Sequence, residues 1–365
     1  MLIEQMTAEW IVYCMLYGGV AFSALIASIY LCIRRGNAFA PDITPPVHLR
    51  RWAAAFCAVA FLGHVWWYLF YTFSGDMYSV SCLVVGVIDC MSLLTTIFGT
   101  LLAMLQDRKR PVWPFVLSII PYIVFLTLNI FYPDGHFIYI GIGYNLAIYM
   151  FFSIFMVFAI RQYGRWLRDN YADLEHKEVW MSHVLIIVIL LLIIIYGFDL
   201  GNLVIGYIMQ LNCLALIIFL LWRVETLPQL ETIESTLIEQ QEEQPEQLSI
   251  AITNSIEQLL AERCVDTQLY LQQDLTLQQL AMAIGTNRTY LSQYFASRGL
   301  TYNAYINGLR VDHFMNLYRE TIAARKSIAA QQLCNDCGFK SYSTFSLAFK
   351  QRTGQSVSSW MHETI

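Results

Sequence analysis

The chain has 365 residues, 57% apolar and 15% aromatic, and its 13% charged residues are about half the share of an ordinary soluble protein. That composition excludes a disordered chain, a collagen-like fibre and a disulfide-rich secreted scaffold. The formal charge of −5 hides three regions: residues 1–223 carry 12 basic and 12 acidic groups, 224–275 one basic and 11 acidic, and 276–365 nine basic and four acidic.

A helix crossing the hydrocarbon of a bilayer needs about 20 mainly apolar residues. Seven stretches meet that expectation: 10–33, 52–73, 78–105, 112–131, 137–160, 179–196 and 203–222. Runs such as 184–195 do not alternate, which excludes barrel strands. The acidic flank and the length of the first stretch predict a retained helix rather than a cleaved leader. Eleven basic residues fall in the odd-numbered connectors: Arg34, Arg35, Arg50 and Arg51, then Arg108, Lys109 and Arg110, then Arg161, Arg165, Arg168 and Lys177. The N-terminal segment and the even-numbered connectors have none. The positive-inside rule then puts the N-terminus outside and everything after Trp222 in the cytoplasm.

Polar groups inside spans are costly in lipid and mark places to look for a sensing site. His64 and Asp89 fall near mid-span on consecutive antiparallel stretches. They are a candidate ligand or coupling pair; the plainer alternative is that each bonds a backbone carbonyl or hydroxyl. Asn129, Asn145, Gln210 and Asn212 raise the same question more weakly. No zinc-protease pattern, glycine-rich phosphate loop or nucleophile elbow occurs, so no enzymatic chemistry and no cofactor are expected.

The connector, 224–248, is strongly acidic. Leu230, Ile233, Leu237 and Ile238 recur at helical spacing, consistent with a short helix, a coiled coil between two copies, or a solvated spacer.

Beyond it, Ile252, Ile256, Leu259 and Leu260 define an amphipathic helix. Thr276 is placed to cap a helix carrying Leu277, Leu280 and Ala281, which Gly285 closes. Asn287 caps a second helix with Tyr290, Leu291, Tyr294 and Phe295 turned inward. Two capped helices around a tight glycine turn make a helix-turn-helix, whose second helix reads a major groove. The pattern recurs with Ala330, Leu333, Cys334 and Cys337, then Gly338 and Phe339, then Ser341 or Ser343 as cap before Phe345 and Phe349. A helix of about 20 residues, 301–320, joins the units; at roughly 30 Å it is close to one turn of duplex.

These residues resemble the DNA-binding domain of AraC/XylS-type transcription regulators over about 275–361. The first unit of that family is matched by Leu277, Leu280, Ala281, Gly285, Leu291 and Phe295. Its linker signature stands as Tyr305-Ile306-Asn307 and Leu309-Arg310. The second unit is matched by Gly338-Phe339, Ser343, Phe345, Phe349-Lys350 and Gly354. Val357 stands where a proline is usual, the segment 321–326 is longer than usual, and Leu347 occupies a position often polar or basic.

The resemblance implies a bacterial transcription regulator that binds double-stranded DNA. By position, Arg288, Thr289, Ser292 and Gln293 face outward on the first reading helix, and glutamine can pair with adenine while serine and threonine contact base edges or phosphate. Tyr342, Ser343 and Ser346 are their counterparts on the second. Arg298, Lys340, Lys350 and Arg352 are candidates for phosphate; Arg310 is either another or a structural pair. Cys334 and Cys337 form a CxxC with no second pair nearby, so core filling is expected and no metal.

The expected architecture is all-α: a seven-transmembrane-helix bundle (1–223, a sensor domain), an acidic cytoplasmic linker (224–248), and a double helix-turn-helix domain (249–365). The expected setting is the bacterial inner membrane, with the bilayer, DNA, a possible homodimer and an unknown signal or ligand as partners. The alternative is a membrane receptor whose tail acts through protein contacts rather than DNA.

Overall fold

The structure is a computed structural model that describes residues 8–34, 43–73, 80–132, 136–175, 177–196, 203–230, 250–324 and 330–364. The connector positions Ile233, Leu237 and Ile238 lie outside the described residues. So do most of the short connectors after the second, fourth and sixth stretches. Among the described residues every regular element is helical, in accord with the all-α expectation. The chain divides into two compact units: Met1–Ile160 with Val179–Leu237, and Arg161–Glu178 with Ile238–Ile365.

The first unit contains α1 (Ala8–Ile33), α2 (Val47–Phe73), α3 (Val80–Ala103), α4 (Trp113–Leu117), α5 (Ile119–Phe131), most of α6 (His136–Asn170), α7 (Trp180–Tyr196) and α8 (Leu203–Thr226). Four helices are long and apolar enough to cross a membrane: Ala8–Ile33, Val47–Phe70, Leu146–Asn170 and Leu203–Thr226. That is four among the described residues, not the seven expected. The fourth stretch breaks at Ser118, because Pro121 has no N–H for the carbonyl of Leu117 and its ring crowds that carbonyl. The sixth stretch, α7, has 17 residues, about 26 Å of helix against roughly 30 Å of hydrocarbon. In the third, among the described residues, a shorter apolar helix runs from Met91 to Ala103. The fifth extends ten residues beyond the expected end.

Small residues and backbone acceptors let these helices approach closely. Ser28 Oγ on α1 donates to the Ala54 carbonyl on α2 at 3.0 Å, and Arg50 Nε donates to the Leu31 carbonyl at 2.7 Å. Gly99 on α3 lies flat against the Trp52 ring, where a Cβ would collide. The fully buried His183 on α7 reaches the Leu101 carbonyl at the end of α3, 3.0 Å away. Just past α8 the chain is pinned: Gln106 Nε2 donates to the Pro228 carbonyl, Gln106 Oε1 accepts from the Leu230 amide, and the Gln229 amide donates to the Thr44 carbonyl. Large side chains face outward, among them Phe22 on α1, Phe158 on α6 and Ile218 on α8, each about 60% exposed. A face of this kind matches hydrocarbon rather than water.

The second unit contains α9 (Ile250–Leu260), a π turn at Ala261–Val265, a 3-10 turn at Leu269–Leu271, α10 (Leu277–Ile284), α11 (Arg288–Ser297), α12 (Tyr302–Ala323), α13 (Ala330–Asp336), α14 (Tyr342–Thr353) and α15 (Val357–Thr364). It has two cores. One gathers Ile256, Leu260, Leu277, Leu280, Leu291, Phe295, Tyr302 and Ile306. The other gathers Val311, Phe314, Leu333, Phe339, Phe345, Phe349 and Trp360, in which Phe314 and Phe345 have ring centroids 4.5 Å apart. The single helix α12 contributes to both, its first turns to one core and its later turns to the other. At 22 residues it is about 33 Å long.

Candidate nucleic-acid interface

Capping chemistry sets the helices of the two helix-turn-helix units. The Thr276 hydroxyl accepts from the Gln279 amide while the Gln279 side chain accepts from the Thr276 amide, a reciprocal box that starts α10. Gly285 ends it at φ +81°, in the left-handed region that side-chain-bearing residues avoid. Asn287 Oδ1 then accepts from the Tyr290 amide at 2.8 Å, which starts α11. In the second unit Gly338 turns at φ +84°, and Ser341, rather than Ser343, caps α14 by accepting from the Thr344 amide at 3.3 Å.

On α11, Leu291, Tyr294 and Phe295 are buried and Tyr290 is half-buried, leaving Thr289 and Ser292 exposed and Gln293 half-exposed. These are three polar side chains on one face of a helix held rigid from behind. Arg288, the first residue of α11, is half-buried, and its Nε and Nη2 donate to Asn170 Oδ1 at 3.0 and 2.5 Å. Burial lowers its pKa, the mark of a guanidinium that has lost hydration.

On α14, Ser343 is exposed and Ser346 half-buried, while Tyr342 packs partly against the second core, its ring edge-on to Phe345 at 5.7 Å. Leu347 is 61% exposed in the middle of that face. Lys340, Lys350 and Arg352 are all exposed. Lys340 is paired with Asp274, and Arg352 with Asp312 on α12 at 2.9 Å. Arg298 is paired with Glu257.

Arg310 is a structural residue and not a phosphate contact. It is 1% exposed, and its guanidinium donates to the carbonyls of Tyr270 and Gln272, both at 2.7 Å, and to Asn307 Oδ1 at 3.3 Å. It ties the turn before α10 to the linker helix. Cys334 and Cys337 are fully buried in the second core, where burial pushes their thiols up to about 11 and about 12.

His64 and Asp89 do not bond each other. His64 Nδ1 lies 2.7 Å from the Ala60 carbonyl and Nε2 3.0 Å from Gln210 Oε1. Asp89 Oδ2 accepts from Trp67 Nε1 at 3.0 Å, while Oδ1 is buried without a partner against Gly63. Gln210 is thus the residue that joins α8 to this polar cluster on α2.

One group of contacts has no counterpart in the sequence reading. The segment Arg161–Glu178, made of the last ten residues of α6 and the strap that follows, belongs to the second unit. Ala172 is fully buried in the first helix-turn-helix core. The Ala172 carbonyl accepts from Asn303 Nδ2 at 2.6 Å and Asn307 Nδ2 at 3.0 Å, and its amide donates to the Leu275 carbonyl at 3.4 Å. Tyr171 bridges Thr276 in antiparallel fashion, and Lys177 Nζ lies 3.5 Å from Asp274. Most of these bonds run to backbone atoms of the strap, so its side chains carry little signal. Asn307 and Arg310, both in the linker signature, are joined to each other, and Asn307 to this segment.

Residues 268–363 match the family model of a helix-turn-helix domain, of the AraC type. The match takes in both units and the linker helix. Neither a curated protein nor a solved structure matches the chain. No enzymatic family is indicated. Residues 268–363 are thus similar to helix-turn-helix domains of the AraC type, which supports DNA binding by this segment.

Proposed function

We infer that the protein is a membrane-bound one-component transcription regulator. In this reading residues 1–223 form the membrane sensor domain, 224–248 the linker and 249–365 the DNA-binding domain. The N-terminus lies outside a bacterial inner membrane and the tail in the cytoplasm. The carrying observation is the AraC-type match over two capped helix-turn-helix units, the first of which presents Thr289, Ser292 and Gln293 on an exposed face. Apolar outward faces on four long helices support membrane association, and the one-sided placement of eleven basic residues supports the orientation.

Thr289, Ser292, Gln293 and Ser343 read bases, Ser346 and Tyr342 contribute at the groove edge, and Arg288, Lys340, Lys350 and Arg352 meet phosphate. The His64–Gln210 and Asp89–Trp67 cluster is the place where a signal acts on the helices. That signal works by binding one state of the protein better than another. A homodimer would set two such domains on one site.

The second reading, a tail that contacts protein instead of DNA, draws on the ion-paired Lys340 and Arg352 and the exposed Leu347. The test is selection of genomic duplex fragments by the full chain in lipid nanodiscs, with a salt titration. Selective binding that weakens steeply with salt and loses selectivity in Gln293→Ala is expected. Absence of selective binding overturns the regulator reading and leaves the protein-contact one.

A further inference from the structure

We propose that the last residue of α6 and the strap after it, 170–175, form an autoinhibitory clasp on the first reading helix, with Asn170 holding Arg288 away from DNA phosphate; this rests on the DNA-binding reading above. The docking surface is built for a short extended backbone. Asn303 and Asn307, one turn apart on α12, both point amide donors at the Ala172 carbonyl, and Asn303 also reaches the Tyr171 carbonyl at 3.2 Å. The Leu275 carbonyl faces the Ala172 amide, and Asp274 sits opposite Lys177. A methyl group, Ala172, fills the core behind them. The occupant is a segment of this same chain, and it is seated.

The contact that matters for DNA is at the edge of this surface. Arg288 is the first residue of α11, next to Thr289, where a guanidinium is well placed to meet a phosphate beside the groove. Docking turns it instead onto Asn170 Oδ1 with two donors at 3.0 and 2.5 Å. Two of the five guanidinium N–H groups are committed to Asn170 Oδ1 and the half-buried side chain is drawn onto the end of α6, so the Asn170 contact competes with reach of Arg288 to phosphate. The strap joins α6 and α7 in sequence, so any rearrangement of those helices bears directly on Asn170. The clasp gives the membrane part a route to the reading helix that does not pass through the acidic linker.

The test measures binding of the full chain in nanodiscs to a labelled 40-base-pair duplex of mixed sequence, from about 50 to 200 mM salt. Each freed phosphate contact steepens the plot of log affinity against log salt by about 0.9. Asn170→Ala removes the acceptor but keeps Ala172 and its partners in place. It is expected to steepen the slope by about 0.9 and to raise affinity most at low salt, its advantage shrinking roughly 3.5-fold across that range. Asn170→Asp, which converts the contact into an ion pair, is expected to weaken binding. In Asn170→Ala/Arg288→Ala the added slope is expected to vanish, a result that a merely structural role for Asn170 would not produce. Equal binding by the parent chain and both single variants overturns the clasp, as does weaker binding by Asn170→Ala. Failure of every protein to bind any duplex overturns the DNA-binding reading itself, an outcome distinct from equal binding.

Discussion

Gly338 and Gly354 adopt nearly the same backbone torsion, φ +84° and +81°, in different surroundings. At Gly354 an added Cβ meets nothing within 4 Å, whereas at Gly338 it lands on the carbonyl, carbonyl carbon and Cα of Leu271. Gly354→Ala therefore carries only the left-handed penalty, about 1–2 kcal/mol. Gly338→Ala carries the same penalty and must also displace main chain that cannot rotate aside, a further ~1–3 kcal/mol by analogy with overpacked cores. The collision lies at the junction of the two helix-turn-helix units, beside Gln272, whose carbonyl accepts from Arg310. Amide hydrogen exchange in the full chain reads the local stability of α13 and α14 directly. Those amides should exchange about 5- to 150-fold faster in Gly338→Ala than in Gly354→Ala, the factor that ~1–3 kcal/mol implies. Equal exchange in the two variants would refute the argument that Leu271 backbone is what excludes a side chain there.

Cys334 and Cys337, with thiols pushed by burial to about 11 and about 12, should resist maleimide at pH 7.5 in the native protein and label fully once it is denatured, as peptide mass spectrometry would report. Asp274 titrates lower than an ordinary carboxylate: burial raises its pKa, but Lys340 and Lys177 together outweigh that and hold it down. A depressed folded value means its stabilising contribution is complete above the unfolded value near 4 and is lost as pH falls through the lower folded one. The thermal midpoint of the tail should therefore fall as pH drops below about 4, and fall less steeply in Asp274→Asn; identical pH profiles would show the pairing to be without consequence.

The helix-turn-helix units were legible because their signals are local. Thr276 and Asn287 cap from within three residues, Gly285 and Gly338 take the torsions that only glycine adopts readily, and the apolar spacing of Leu291, Tyr294 and Phe295 follows the helical period. The break in the fourth apolar stretch has its cause in plain view, at Pro121, but hydropathy averages over a proline that removes a hydrogen bond without removing apolarity. The docking of 170–175 had no such signal. It depends on carbonyls of Tyr171 and Ala172 meeting Asn303 and Asn307 more than a hundred positions away, and any residue supplies a carbonyl. Arg310 was ambiguous for a related reason: basic residues at a protein surface and basic residues that staple a turn look alike until burial is known. His64 and Asp89 were recognisable as costly groups, yet the partner of His64, Gln210, stands 146 positions further on.

The helix α12 is unbroken through 22 residues, with Tyr302 and Ile306 embedded in one core and Val311 and Phe314 in the other. An α-helix so anchored neither stretches nor twists by much, so it acts as a ruler between α11 and α14. On DNA a ruler of fixed length translates into fixed helical phasing. A site recognised by both units would tolerate changes of base but not of spacing: five inserted base pairs, about half a duplex turn, would carry the second half of the site to the opposite side of the duplex and leave only one unit engaged.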